Sequence, residues 1–171
     1  AEPLAGLLSP SLAEEFSAPY VKKIVDAAQS VRDSIKKVVI GDGVASIGKF
    51  AFYQCTELTE VEFAEGATLT AINNGAFGYT SALKSITLPA SLKTIGNNGF
   101  YYSALETVDF EAGSGLTAIG AYAFRNCTAL VSVYVPDGVS TMGTAILYSC
   151  GNQAVLNVAD GTVAHKYAIK N

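Results

Sequence analysis

Residues 58–82 read LTEVEFAEGATLTAINNGAFGYTSA and residues 83–104 read LKSITLPASLKTIGNNGFYYSA. Laid one over the other, they share an aliphatic opening, two alternate apolar positions, a turn, an isoleucine and a phenylalanine. The pattern extends in both directions: IKKVVIGDGVASIGKFAFYQCTE precedes it at 35–57. LETVDFEAGSGLTAIGAYAFRNCTA and LVSVYVPDGVSTMGTAILYSCGNQA follow at 105–129 and 130–154. Five units therefore begin at Ile35, Leu58, Leu83, Leu105 and Leu130, with a period of 22 to 25 residues. A unit this short cannot bury its apolar face alone, so a repeating sequence implies coils stacked on one continuous core.

Each column of the repeat has a physical job. Val38 and Ile40, Val61 and Phe63, Ile86 and Leu88, Val108 and Phe110, and Val133 and Val135 alternate with polar neighbours, the signature of a strand buried on one side. Turn residues close each strand: Asp42-Gly43, Glu65-Gly66, Pro89, Gly113 to Gly115 and Pro136-Asp137-Gly138. An apolar residue then precedes glycine at Ile47-Gly48, Ile95-Gly96, Ile119-Gly120 and Met142-Gly143. The second unit has Ile72-Asn73 instead, which predicts a left-handed backbone position at this point in every coil. Phe52, Phe77, Phe100, Phe124 and Leu147 recur after it and should stack into a spine, each ring contributing roughly 1.5 to 3 kcal/mol. The small residues Cys55, Thr80, Ser103, Cys127 and Cys150 form a further column, expected to serve buried backbone groups.

With these columns in place, the pattern L-x-x-V-x-(I/F/L), then I-G, then A-F-x-x-C resembles the BspA-type leucine-rich repeat of bacterial surface and secreted proteins. The period also lies within the 20 to 29 residues of leucine-rich repeats. Departures are Gly99 before Phe100, Ala145-Ile146-Leu147 in the fifth unit and the missing glycine of the second. The resemblance implies an α/β repeat fold: a right-handed solenoid with a parallel β-sheet, used for adhesion to host proteins or other cells. It implies an extracellular or cell-surface location, anchored if at all through a segment outside this chain.

The ends should cover the apolar cross-sections of the stack. Ser11 with Glu14 forms a capping-box signature, and Val21, Ile24, Val25, Ala28, Val31 and Ile35 recur at helical spacing. Residues 1–34 are thus read as a tether and helical cap, 35–154 as five coils, and 155–171 as a terminal strand around Leu156 to Val158 with a short helix carrying His165 and Tyr167.

Composition narrows the functional classes. Eleven basic against 15 acidic residues, with a pI near 4.9, provide no cationic track for a phosphate backbone, so nucleic acid is not an expected partner. No apolar run reaches the length of a membrane span. The single histidine, His165, excludes a multi-histidine metal cluster. Three cysteines are too few for a disulfide scaffold, and the repeat places them as buried thiols; Cys127 and Cys150 share a column in adjacent coils and are close enough to bond if their side-chain directions allow. Outward carboxylates such as Glu60 and Glu62 read as a solvated acidic face rather than an acid–base pair. No catalytic, cofactor-binding or metal-binding residues are assigned, and an enzyme is not expected.

Recognition is left to the columns that vary. If Val38 and Ile40 face inward, then Lys37, Val39, Glu60, Glu62, Thr87, Thr107, Asp109 and Tyr134 face outward on the concave sheet. That face is the expected site for a protein or glycan partner from a host matrix or cell surface, engaged by a monomer. The alternative is a structural spacer within a larger surface protein. A second expected surface is the edge with Tyr53, Tyr79, Tyr101, Tyr102 and Tyr122, since tyrosine gives contact area at low entropic cost.

Overall fold

A computed structural model describes residues 30–151 and 154–162. Within them the chain is a right-handed, all-parallel β-solenoid of about five turns, entered from a helical element at residues 30–33. Of the expected apolar helix stripe, Ile35 packs against the core, whereas Val31 is exposed. The capping box, the rest of the stripe, and the helix with His165 and Tyr167 lie outside the described residues.

Two rows of strands run up the solenoid. The long row contains β1 (Lys37–Ile40), β3 (Glu60–Phe63), β5 (Ser85–Leu88), β7 (Thr107–Phe110), β9 (Ser132–Tyr134) and β11 (Val155–Asn157). These are the expected strands, and β11 supplies the expected sixth. The short row contains two-residue strands: β2 (Ser46–Ile47), β4 (Ala71–Ile72), β6 (Thr94–Ile95), β8 (Ala118–Ile119) and β10 (Thr141–Met142). Two residues are too few to show an alternation in sequence, so this row was not anticipated. Yet it forms the unbroken five-stranded sheet, while the long row divides into the parallel pairs β1–β3, β5–β7 and β9–β11. The two breaks follow β3 and β7, which belong to the coils with two-residue insertions.

The apolar-Gly position behaves differently from expectation. Gly48, Asn73, Gly96, Gly120 and Gly143 are not left-handed; positive φ falls two residues later, at Phe50, Gly75, Asn98, Tyr122 and Ala145, and again four residues on, at Gln54, Tyr79, Tyr102, Asn126 and Ser149. The glycines answer to space instead. A Cβ on Gly120 would lie 2.5 Å from the backbone nitrogen of Asn97, and one on Gly96 would lie 2.7 Å from that of Asn74. Gly48, in the first coil, has nothing within 4 Å. Here Asn74 Oδ1 accepts the Asn97 N–H (3.0 Å) and Asn97 Oδ1 accepts the Ala121 N–H (2.9 Å), so side chains from one coil satisfy the turn of the next.

Left-handed residues on the third side of each coil turn their N–H groups toward the following coil. Phe50 donates to Asn74 O, Asn98 to Ala121 O and Tyr122 to Thr144 O; Gln54, Tyr79, Tyr102 and Asn126 do likewise one turn on. Inside this shell the spine stacks as expected: Phe52, Phe77, Phe100 and Phe124 lie 5.1, 5.2 and 5.5 Å apart, nearly parallel. The small-residue column also does its expected job. Cys127 Sγ donates to Phe100 O (3.1 Å), Cys150 Sγ to Phe124 O (2.9 Å), and Thr80 Oγ1 to Phe77 O (2.9 Å). All three cysteines are free thiols, Cys55 and Cys127 buried and Cys150 half-buried.

Candidate functional site

The candidate recognition surface is built by strand alternation. With Ile40, Val61, Ile86, Val108 and Val133 buried, the residues between them must face water. Lys37, Val39, Glu60, Glu62, Thr87, Thr107, Asp109 and Tyr134 are all exposed on the long-strand face. The parallel register sets Lys37 beside Glu60, Val39 beside Glu62, Thr87 beside Asp109, Thr107 beside Ser85, and Tyr134 beside Asn157.

Charge on this face is locally paired. Lys37 Nζ lies 3.2 Å from Glu60 and 2.7 Å from Glu62. The hydrogen bonds that Lys37 donates to Glu62 and Glu60 raise its pKa, and the bond accepted from Lys37 lowers that of Glu62. Toward the other end, Tyr134 and Val155 stand half-exposed and no cation pairs with Asp109 among the described residues. An open groove at the β3/β5 break is lined by Glu60, Glu62, Ser85, Thr87 and Glu111. The face is thus three two-stranded blocks with a step between the first and second, an irregularity that alternation alone could not reveal.

The tyrosine edge forms a connected cluster. Tyr79 stacks on Tyr102 at 4.7 Å, and both meet Tyr101 edge-on; Tyr53 touches Tyr79 and Tyr101. Burial, with the Tyr53 hydrogen bond, pushes the Tyr101 phenol above its ordinary pKa. Sequence reading placed five tyrosines here but omitted Phe50, Tyr148 and Arg125. Phe50 meets Tyr53 edge-on at 5.6 Å, and the Arg125 guanidinium sits over both Tyr122 and Tyr148. The signal for Phe50 was its place in the column of Tyr122; Arg125 has no repeated counterpart.

Among the described residues no group of three or more His, Cys, Asp or Glu side chains could hold a metal ion, and no helix is long and apolar enough to cross a membrane.

The chain is similar to two solved bacterial structures. One, the pneumococcal vaccine antigen PcpA, is 28% identical with a TM-score of 0.68, over 74% of this chain and 31% of that one. A leucine-rich cell surface protein from Faecalibacterium prausnitzii A2-165 is 25% identical with a TM-score of 0.53, over 72% and 38%. The chain therefore spans only about a third of the length of either. No curated protein matches it. The description "BspA type Leucine rich repeat region" matches residues 22–154 in six copies, beginning within the segment read from sequence as a cap. Repeat columns, coil geometry and this match agree: the chain belongs to the BspA-type leucine-rich-repeat family.

Proposed function

We propose that this chain is an adhesin-like interaction module, displayed or secreted by a bacterium, that holds an extracellular or cell-surface protein through its long-strand face. The observation carrying this reading is a division of labour within the repeat. The repeated columns are buried, and the varying side chains Lys37, Val39, Glu60, Glu62, Thr87, Thr107, Asp109 and Tyr134 share one exposed face. Solenoids present such extended surfaces to partners. Six strands spaced about 4.8 Å apart give a face roughly 25 to 30 Å long, suited to a modest protein contact. Tyr134 is its natural anchor, since a half-exposed aromatic can bury a large area on binding. The cell-surface description of the Faecalibacterium relative supports the location.

A spacer reading draws on a different observation: this chain spans 31% and 38% of the two longer repeat chains it resembles. In that reading the coils extend a larger surface protein and bind nothing.

The experiment is capture from extracellular-matrix and mucin extracts by the wild-type chain and by a Tyr134→Ala/Glu62→Lys variant. The module reading expects a specific protein partner whose capture falls at least about tenfold in the variant. Both side chains are exposed, so the melting temperature should fall by at most about 2–4 °C, the share owed to the lost Lys37–Glu62 pair. Equal capture by the two proteins would remove this face from the reading, and no partner for either would favour the spacer.

A further inference from the structure

The aromatic edge is a second surface, built from residues other than those of the long-strand face. Each coil needs two left-handed residues, a conformation that Gly and Asn adopt readily and bulky side chains do not. The chain uses such residues at Gly75, Asn98 and Asn126. Phe50 and Tyr122 nevertheless occupy the same column as Gly75 and Asn98, and Tyr79 and Tyr102 the same column as Asn126, all with φ between 55° and 59°. Gln54, Ala145 and Ser149 adopt it too, so the conformation alone selects no side chain, and it is the recurrence of aromatic rings at four of these positions that points to a use. Packing accounts for Tyr79, held among Tyr53, Tyr101 and Tyr102. It accounts less well for Tyr122, which is exposed and meets Tyr148 edge-on at 6.1 Å.

Tyr122 and Tyr148 frame a cation. The Arg125 guanidinium carbon is 5.7 and 5.5 Å from their ring centroids, and its Nε donates to Asn126 Oδ1 at 3.3 Å. No carboxylate among the described residues pairs with it. The stretches that build this side, 73–81, 97–104, 120–128 and 143–151, contain no Asp or Glu. An uncompensated guanidinium beside exposed phenols is locally complementary to a carboxylate, even though the chain as a whole is acidic.

The stacking of coils adds a periodicity. Phe50 and Tyr53, Tyr79, Tyr101 and Tyr102, Tyr122, and Tyr148 place an aromatic side chain on this edge in each of the five successive coils. A repeated row of aromatic rings suits a ligand that is itself a repeat of similar units. Ring faces carry negative charge density that attracts polarised C–H groups, and phenolic hydroxyls hydrogen-bond in both directions. A sugar polymer offers both kinds of group.

We propose that this edge, centred on Tyr122, Arg125 and Tyr148, binds a carboxylated glycan, with rings against the sugar C–H faces and Arg125 on a uronate carboxylate.

The test titrates the whole chain with galacturonate oligomers, their methyl esters and polyglutamate. Calorimetry and tyrosine fluorescence both read binding, the latter directly because the chain has no tryptophan. The expected result is binding of galacturonate that weakens at least about tenfold for the methyl ester, for Arg125→Gln and for Tyr122→Asn, with polyglutamate binding no better than the ester. Tyr122→Asn should at the same time raise the melting temperature by about 2–4 °C, since it relieves the left-handed strain. The Tyr134→Ala/Glu62→Lys variant should bind galacturonate like wild type. The proposal is overturned by no galacturonate binding, by equal binding of acid and ester, or by unchanged binding in Arg125→Gln and Tyr122→Asn. Preference for polyglutamate would reassign the edge to acidic peptides, and loss in the long-strand variant would move the glycan to that face.

Discussion

At Gly120 a methyl group has nowhere to go, because its Cβ would meet the Asn97 nitrogen and the Gly96 carbonyl carbon, both backbone atoms that cannot rotate aside. Gly120→Ala should cost about 1–3 kcal/mol in urea denaturation. Gly48→Ala, with open space around it, should stay within about 0.5 kcal/mol, so equal costs would show that conformation rather than coil spacing selects these glycines. The buried thiols give a second residue-scale prediction. The neighbouring Cys150 thiol and burial raise the Cys127 pKa, and burial raises that of Cys55; the neighbouring Cys127 lowers that of Cys150, offsetting part of the effect. In the unfolded chain thiols ionise near pH 8.5, so above that pH the unfolded state loses protons that folded Cys55 and Cys127 keep. Stability contributed by these thiols is therefore full below about pH 8.5 and falls above it, by up to ~1.4 kcal/mol per pH unit for each. Thermal melts between about pH 8 and pH 10 should show the decline, and Cys127→Ala should flatten it.

Elements here are held by contacts to neighbouring coils more than by contacts within themselves. A two-residue strand has no stability of its own, and β2, β4, β6, β8 and β10 persist because each isoleucine or methionine stacks on its counterpart one coil away. The phenylalanine spine shows the same dependence. Phe77, Phe100 and Phe124 are fully buried, whereas Phe52, which among the described residues stacks on one ring, Phe77, is half-buried. Phe100→Ala should cost about 3–5 kcal/mol, a large fraction of a typical domain's stability. Phe52→Ala should cost clearly less, and a comparable loss at both positions would mean that the rings do not act as a continuous stack.

A solenoid whose coils touch only their neighbours should open from its ends. Coils two to four bury their spine rings completely, whereas Phe52 and Leu147 at the two ends remain partly exposed. Amide hydrogen exchange should accordingly be slowest for the central strands β5, β6 and β7 and faster for β1, β10 and β11. Uniform protection across all coils would indicate a single cooperative unit instead. The same geometry separates the molecule's two candidate surfaces: an acidic long-strand face and an aromatic edge bearing Arg125, so substitutions on one should leave the other's binding intact.

Period, strand alternation, the phenylalanine spine and the small-residue ladder were legible in the sequence because each is a repeated choice of side chain. Five occurrences of a column such as Phe52 to Leu147 specify its burial without coordinates. The outward positions of Lys37, Glu62 and Tyr134 followed from the same period-two arithmetic. Tertiary structure decided what depends on distances between coils. It assigned Gly96 and Gly120 to close backbone approach, moved the left-handed positions to Phe50 and Tyr122, revealed the short-strand sheet, and broke the long row after β3 and β7. Only there does Arg125 settle between Tyr122 and Tyr148, because side chains 23 to 26 residues apart meet only when one coil is laid upon the next.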